Sequence, residues 1–94
     1  MYVMQVEIDC DPAKNAANIK ARAISFDTVA DFDFDTALIV VDDRKDYGET
    51  RYRALGRIAG RLHALVFVET ERGIRVISMR KANKREVDGY EKAT

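Results

Sequence analysis

The chain has 94 residues, of which 47% are hydrophobic and 34% are charged. This length and composition exclude a disordered polymer and predict one globular domain over residues 1–94. A single cysteine, Cys10, excludes an intrachain disulfide and a thiolate metal cluster. No signal peptide follows Met1 and no apolar run could span a bilayer, so the sequence predicts a cytoplasmic protein without a membrane partner.

The net charge of zero conceals a difference between the two halves of the chain. Residues 1–43 have three Lys and Arg against nine Asp and Glu, whereas residues 44–94 have thirteen against seven. The second half is therefore predicted to form a basic surface for phosphate or for an acidic partner. The same numbers fit two halves of opposite charge that pack together, and the sequence leaves both interpretations open.

The first third of the chain predicts a strand followed by two helices. Apolar residues alternate with polar ones over residues 2–8, which is typical of a half-buried strand. Asp11 and Pro12 predict the N-cap and first position of a helix, and Ser25 predicts the N-cap of a second, shorter helix. The positions assigned to the inner sides of these helices are Ala13, Ala16, Ala17, Ile24, Phe26, Val29 and Ala30.

The acid-rich residues 31–35 suggest a calcium loop, but their spacing excludes one. With Asp31 in the first position, Thr36 occupies the place that needs glycine. The twelfth position, which requires a bidentate glutamate, is Asp42. Turn and helix-end hydrogen bonding is therefore predicted for this segment.

The rest of the chain predicts an antiparallel β-meander followed by a C-terminal helix, which makes the fold class α+β. Residues 37–41 are all apolar, so this strand is predicted to be covered on both faces. Further strands are predicted over residues 51–57, over residues 61–69 and after Gly73. The last strand gives way to a helix near Arg80 and Lys81. Asn83 and Glu86 form a predicted capping box there, and Val87 and Tyr90 supply the apolar stripe of the helix.

Alternation assigns side chains to the two faces of the predicted sheet. Arg51, Arg53 and Arg57 share one face with Leu55, and core packing does not explain three guanidiniums together. In the last strand, Ile74, Val76 and Ser78 are predicted to lie opposite Arg75, Ile77 and Met79. These charges are candidates for a binding face, although an ordinary solvated surface is the default explanation for each of them.

Several kinds of site have little to build on. His63 is the only histidine and lies in an apolar run, so a partly buried strand residue with one satisfied ring nitrogen is predicted. A Ser-His-Asp triad or a histidine-rich metal site has almost nothing to build on, and the scattered glycines form no phosphate-loop motif. No cofactor and no metal ion are predicted.

The remaining cations and carboxylates suit RNA cleavage without a metal. The 2′-OH of RNA can attack its own phosphate if a base, a proton donor and positive charge are at hand. Arginine matches the charged transition state because its donors form a fixed fork. The catalytic candidates are Arg80, Arg51, Glu49 and Lys81, with Glu49 as the base. The RNA-binding candidates are Arg53, Arg75, Lys45, Lys84 and Arg85.

Five sequence segments together resemble the BrnT family of bacterial type II toxin–antitoxin systems. They read D-P-A-K-N-A-A-N-I, S-F-D-T-V, D-D-R-K-D-Y-G-E-T-R-Y, G-R-I-A-G-R-L and I-R-V-I-S-M-R-K-A-N-K-R-E-V-D-G-Y-E. The resemblance covers residues 11–91. It implies a RelE-like fold and a metal-independent ribonuclease that inhibits translation. It also implies a BrnA-type antitoxin with a ribbon-helix-helix domain, through which the toxin reaches DNA only indirectly.

Five positions, in three places, depart from the family pattern that this resemblance brings with it. Cys10 stands where the family has tryptophan, Ala21-Arg22-Ala23 replaces K-H-G, and Met79 replaces the alanine of S-A-R-K-A. Losing the histidine removes a proton-transfer group, and losing the glycine removes a helix-stop residue. Two alternatives therefore stay open, a degenerate toxin that only binds its antitoxin and a protein that binds nucleic acid without cutting it.

Overall fold

The fold is described by a computed structural model that covers residues 7–43 and 48–93. The strand predicted over residues 2–8 therefore lies largely outside the described residues. Five strands, two α-helices and one 3₁₀ helix follow in chain order: β1 (Glu7–Cys10), α1 (Pro12–Arg22), the 3₁₀ helix (Phe26–Asp31), β2 (Leu38–Asp42), β3 (Arg51–Ile58), β4 (Arg61–Glu69), β5 (Gly73–Lys81) and α2 (Lys84–Ala93).

The strands form one mixed sheet in the order β1-β5-β4-β3-β2. β2 to β5 are antiparallel neighbours in chain order, but β1 pairs with β5 in parallel. The α+β class is confirmed, and the purely antiparallel sheet is wrong. Parallel neighbouring strands need a crossover connection. Here the connection from β1 to β5 contains α1, the 3₁₀ helix and the strands β2 to β4. A Cβ on Gly73 would collide with the backbone of Glu7, so this pairing requires glycine.

Apolar residues on one face of the sheet form the main core beneath the 3₁₀ helix. We call this the core face. Its most deeply buried side chains are Phe26, Val29, Leu65, Val76 and Met79. On the opposite face, which we call the α2 face, Tyr90 of α2 packs with Leu62 and Ala82 in a smaller cluster. Burial of apolar surface is the main stabilising term in both clusters.

The helix starts follow their capping residues, as predicted. Asp11 accepts a hydrogen bond from the Ala13 amide at 2.9 Å, and Ser25 accepts one from the Asp27 amide at 3.2 Å. At the start of α2, the side chain of Asn83 and that of Glu86 each accept a bond from the other's backbone amide at 2.9 Å. Local side-chain chemistry therefore sets all three helix starts.

The predicted inner side of the first helix is wrong for its three alanines and confirmed for Ile24, which is buried just after the end of α1. Ala13, Ala16 and Ala17 are exposed, and the only buried residue of this helix is Asn18. Its amide nitrogen donates to the carbonyls of Ile24 and Met79, at 2.9 Å each. A polar residue lies inside because its hydrogen bonds satisfy backbone groups that would otherwise be buried alone.

The helix stops without the glycine that a left-handed cap prefers. Ala23 has φ 57° and ψ 30°, and its amide donates to the Ile19 carbonyl at 2.7 Å. A left-handed alanine costs about 1–2 kcal/mol in conformational energy. The helix end is therefore retained by its surroundings despite the loss of glycine.

β2 is not covered on both faces, contrary to the prediction. Ile39 is 45% exposed, and Val40 and Val41 are each 52% exposed. β2 is the last strand of the sheet, with β3 on one side and no described strand on the other. The apolar run resembles a central strand in sequence, but its place at the sheet edge leaves it in solvent.

A bulge in β5 changes the predicted assignment of its side chains to the two faces. Val66 pairs with Ser78, whereas the next residue, Phe67, pairs with Val76, so Ile77 is an extra residue. Val76 and Met79 both reach the core, and Arg75 and Arg80 consequently share the α2 face. The regular alternation expected for residues 74–79 is therefore wrong beyond Val76.

Residues 31–36 show the predicted turn chemistry. The Asp35 amide donates to Asp33 Oδ1 at 3.0 Å, and the Thr36 hydroxyl donates to Asp33 Oδ2 at 2.8 Å. Asp33 therefore closes a turn of the kind that aspartate favours. Within the described residues, no helix is long and apolar enough to cross a membrane.

Candidate functional site

Five arginines of β3 and β5 lie on the α2 face, and one of them, Arg57, lies over the ring of Tyr90. We call the other four the arginine track, and its members are Arg51, Arg53, Arg75 and Arg80. Register explains the grouping, because Arg53 pairs with Val66, Val66 pairs with Ser78, and Arg80 lies two residues beyond Ser78. All four side chains reach solvent, with exposed fractions from 22% for Arg51 to 49% for Arg75. The predicted grouping of Arg51, Arg53 and Arg57 on one face is confirmed, and the bulge adds Arg75.

Arg80 is held in a fixed orientation by Glu86. Its two terminal nitrogens, Nη1 and Nη2, donate to the two carboxylate oxygens at 2.7 and 2.9 Å. Glu86 Oε1 also accepts the Asn83 amide, so one carboxylate joins the end of β5 to the cap of α2. Such a bidentate pair is stronger and more directional than an ordinary exposed ion pair.

The same contacts keep Glu86 ionised. Hydrogen bonds from Arg80 hold the pKa of Glu86 below its ordinary value, against the opposing effect of partial burial. The Asn83 amide and the charges of Arg80 and Arg53 lower this pKa further. Glu86 is therefore a charged group that orients Arg80. It is poorly suited to accept a proton itself, because a lowered pKa makes a carboxylate a weaker base.

Arg53 lies between two carboxylates. Its Nε is 3.8 Å from Oδ1 of Asp42, and its charge also acts on Glu86. Asp42 ends β2 with its side chain only 1% exposed, directly across from Arg51 in the register. Asp42 is not among the site residues that the sequence predicts. The sequence contained one indication of its role, because this acid ends the apolar run that precedes the arginine-rich strand.

The other end of the track has looser ion pairs. Glu49 lies 3.5 Å from Arg51, and Asp9 of β1 lies 3.3 Å from Arg75. Glu49 and Arg75 line one open cavity of about 470 Å³ together with Val68. The structure therefore brings the predicted base, Glu49, to the same end of the face as Arg51 and Arg75.

The remaining candidates lie away from the track or beside it. Lys81 pairs with His63, so it lies on the other face of β5 from Arg80. Lys84 and Arg85 are exposed in the first turn of α2, next to Glu86. Lys45 lies outside the described residues.

Arg22, which stands at the position of the family histidine, and His63 lie on the core face. Arg22 Nη1 donates to the Met79 carbonyl at 3.5 Å, a long contact. His63 is buried with Nδ1 2.7 Å from the Arg61 carbonyl, as the prediction of one satisfied nitrogen required. Neither side chain joins the track.

The chemical capacity of the track is the recognition of phosphate. Guanidinium forks match phosphate oxygens in pairs, and β3 and β5 hold their Cα atoms in fixed register. Carboxylates next to each arginine restrict its rotamers before any ligand arrives. Over residues 7–43 and 48–93, no three His, Cys, Asp or Glu side chains lie close enough together to hold a metal ion.

Comparison with known proteins assigns this chain to a family. The sequence model of the ribonuclease toxin BrnT of type II toxin-antitoxin systems matches residues 10–86, which include the whole track and Glu86. No curated protein matches the chain. A type II system implies a protein antitoxin as the partner. The chain therefore belongs to the BrnT family of ribonuclease toxins, as the resemblance in its sequence indicated.

Proposed function

We propose that this protein is an endoribonuclease toxin that cleaves RNA without a metal ion and thereby inhibits translation. The observation that supports this most directly is the pair of Arg80 and Glu86, which fixes a guanidinium on an open face beside Arg53. A charge donor that is oriented before the substrate arrives lowers a barrier without reorganisation at the moment of reaction. Membership of a ribonuclease toxin family supplies the substrate class.

The proposed reaction is an internal phosphoryl transfer. A base removes the proton from the 2′-OH, and O2′ forms a bond to phosphorus while the bond from phosphorus to O5′ breaks. The leaving O5′ takes a proton, so the products have a 2′,3′-cyclic phosphate and a 5′-OH. Negative charge grows on the phosphate oxygens in the transition state, where arginine stabilises it.

We assign the roles as the sequence predicts them. Arg80 and Arg51 stabilise the transition state, and Glu49 beside Arg51 is the candidate base. Arg53 and Arg75 hold the phosphates of the neighbouring nucleotides, and Lys84, Arg85 and Lys45 extend the electrostatic attraction for the strand. Lys81 is kept as the candidate acid from the sequence, although it faces away from Arg80.

The proposed partner is an antitoxin of the BrnA type with a ribbon-helix-helix domain, through which the complex binds DNA. We propose that the antitoxin keeps RNA from the α2 face by covering the track. A RelE-like fold, one domain over residues 1–94 and a cytoplasmic location belong to the same proposal. Their support is the family match together with the α+β fold.

One observation favours a second candidate, a toxin that binds its antitoxin but no longer cleaves RNA. Arg22 and Ala23 stand where the family pattern has histidine and glycine, and Arg22 cannot act as a base. Expression without an antitoxin distinguishes the two. Growth arrest with new RNA ends supports the ribonuclease, and normal growth at a matched protein level supports the degenerate toxin.

The metal requirement provides the sharpest test of the mechanism. We expect purified toxin to cleave RNA in excess EDTA and to leave a 2′,3′-cyclic phosphate or 3′-phosphate. The reason is that the substrate supplies its own nucleophile and arginines supply the positive charge. Digestion followed by chemical typing of the ends measures this. Products with 3′-hydroxyl and 5′-phosphate ends that appear only with added Mg²⁺ or Mn²⁺ would contradict the mechanism.

A further inference from the structure

A cavity of about 440 Å³ lies between α2 and the turn that joins β3 to β4. We call it the hairpin cavity. Its charged lining residues are Arg57, Arg61, Lys84 and Glu91, and Leu62 and Val87 form part of its apolar wall. Among the described residues, the lining therefore includes three cations, one carboxylate and no member of the arginine track.

α2 separates this cavity from the arginine track. Successive residues of an α-helix turn by about 100° around its axis, and Val87 and Tyr90 face the sheet. Glu86 then lies on the flank where it binds Arg80, whereas Lys84 lies on the other flank, at the cavity. Two cationic sites therefore flank one short helix on the same face of the sheet.

Arg57 is held at the wall of the hairpin cavity by Tyr90. Its guanidinium carbon lies 5.5 Å from the centroid of the tyrosine ring, within the range of a cation–π contact. The ring is itself fixed, because it is buried and its hydroxyl donates to the Thr36 carbonyl at 2.8 Å. Nη1 of Arg57 also makes a long contact of 3.5 Å with the Gly60 carbonyl. The charge of Arg57 is therefore oriented before any ligand arrives.

The cations of the hairpin cavity differ from those of the track in their ionic partners. Each track arginine has a carboxylate oxygen within 3.8 Å. In the part of the chain that the structure describes, no ion pair involves Arg57, Arg61 or Lys84. The positive charge of the cavity is therefore less neutralised by the protein than that of the track, and it favours an anion.

The size and lining of the hairpin cavity suit a nucleotide better than a small inorganic anion. A volume of about 440 Å³ far exceeds that of one phosphate group and falls in the range of small-molecule sites. The cations match a phosphate, and the apolar wall at Leu62 and Val87 matches a sugar or a base. Lys84 also lies in the first turn of α2, where the helix dipole favours negative charge.

One strand of RNA can occupy the track and the hairpin cavity together. Lys84 follows Arg80 by four residues, so their Cα atoms are at most about 14 Å apart. A few nucleotides of an extended strand cover that distance. Arg85 is exposed in the first turn of α2 and lies between the two sites, on the side of the helix that faces away from the sheet. The basic surface therefore continues from the track over the start of α2 to the cavity.

We propose that the hairpin cavity binds a nucleotide of the RNA substrate that lies a few positions from the cleaved bond. Arg57, Arg61 and Lys84 hold its phosphate, and Leu62 and Val87 contact its sugar or base. This inference rests on the proposed ribonuclease function and adds a second RNA site to it. Binding at a distance from the reacting phosphate anchors the strand, so that the track meets the reactive bond in a fixed register.

The test measures the binding of RNA that cannot be cleaved. The probe is a fluorescent 2′-O-methyl oligonucleotide of about twelve nucleotides, which has no 2′-OH to attack its own phosphate. The cavity variant is Arg61→Gln combined with Lys84→Gln, at two exposed positions. The control is Lys14→Gln combined with Lys20→Gln, which removes the same charge from exposed positions of α1. Fluorescence anisotropy at several salt concentrations gives each affinity, and thermal unfolding checks that each variant is folded.

We expect the cavity variant to bind the oligonucleotide about fivefold more weakly near 0.1 M salt, the contribution of about one phosphate contact. The slope of log affinity against log salt concentration should decrease in magnitude by about 0.7, the value for one contact with a single strand. The control should keep the wild-type slope. Equal slopes for the wild type and the cavity variant overturn the proposal, as does an equal decrease in the control. A wild-type chain that binds no RNA overturns it as well.

The antitoxin and unmodified RNA complete the test with the same proteins. A cavity variant that binds RNA normally but binds the antitoxin more weakly overturns the proposal in favour of an acidic segment of the antitoxin. A wild-type chain that cleaves no RNA, yet binds it with the expected dependence on the cavity, supports the second site and contradicts the ribonuclease. Cleavage of RNA together with equal affinities for the wild type and the cavity variant supports the ribonuclease and overturns the second site.

Discussion

The core face and the α2 face are formed by alternate residues of the same strands, yet their chemistry is opposite. On the core face, Leu65, Val76 and Met79 are fully buried beneath the 3₁₀ helix and beside α1. On the α2 face, the short helix α2 covers only a small apolar cluster, and the track stays open to solvent. The residues that stabilise the fold and those proposed to act on RNA therefore lie on opposite faces of one sheet. Substitutions should therefore affect one property and spare the other.

The largest expected effect comes from Arg80→Ala on the α2 face. We expect RNA cleavage to fall about a hundredfold or more, because one oriented donor is lost from the transition state. The free energy of unfolding should change by less than about 1 kcal/mol, since the ion pair is partly exposed. Cleavage rates and urea unfolding measure the two effects. Arg80→Lys is the control that retains charge without the fork and should recover only part of the rate.

Two results for Arg80→Ala would contradict this division of roles between the two faces. Arg80→Ala protein that keeps full toxicity at matched expression excludes Arg80 from catalysis. A large loss of stability would mean that the α2 face contributes to the fold as much as the core face does.

An intermediate effect is expected from Glu86→Gln. Glutamine can still cap α2 through the Asn83 amide, but it no longer gives Arg80 a charged bidentate partner. We expect kcat to fall about tenfold with KM little changed, because a misplaced donor is lost mainly in the transition state. Single-turnover and steady-state kinetics separate these constants. Equal losses in kcat for Glu86→Gln and for a surface control, Glu91→Gln, would contradict the proposal that Glu86 positions Arg80.

The stability of Glu86→Gln should also depend on pH differently from that of the wild type. The pKa of Glu86 is lowered in the folded state, so its contribution is complete above the ordinary value of 4.5. That contribution is lost as the pH falls through the lowered value and the carboxylate becomes protonated. The wild type should therefore exceed Glu86→Gln in stability at neutral pH by up to about 1 kcal/mol. We expect the difference to vanish in acid, as measured by urea unfolding from pH 7 to pH 3.

The smallest effect is expected on the other side of the sheet, from Ala23→Gly. Glycine relieves the left-handed strain at φ 57° but gains freedom in the unfolded chain, so the net gain should be about 1 kcal/mol or less. Tm should rise by a few degrees, about 4–8 °C per kcal/mol, and RNA cleavage should not change. Ala21→Gly inside α1 is the matched control and should lower Tm. A fall in Tm for Ala23→Gly would show that the cap is not strained.

The features that sequence reasoning predicted are those that depend on near neighbours along the chain. Asp11 and Ser25 at helix starts, the exchange between Asn83 and Glu86, and the grouping of Arg51 with Arg53 all follow from local spacing. The family match had the same basis, because its motifs are short runs of residues. Local rules suffice wherever the hydrogen-bond partners lie within a few residues.

The features that were missed depend on tertiary context. β2 looks like a central strand because it is all apolar, and only the strand order shows that it lies at the edge. Asn18 is buried because of the Met79 carbonyl, 61 residues away. The parallel pairing of β1 with β5 has no pattern in either strand. Sequence periodicity cannot report which element lies next to which.

The bulge at Ile77 determines whether the two track arginines of β5 lie on the same face. Arg75 and Arg80 are five residues apart, an odd number that would direct them to opposite sides of a regular strand. The extra residue restores their common side. Deleting Ile77 would leave the two arginines four residues apart, so a regular strand would still direct both to the α2 face. The common face of Arg75 and Arg80 thus depends on how β5 accommodates its extra residue, because the same sequence paired without a bulge would direct them to opposite faces.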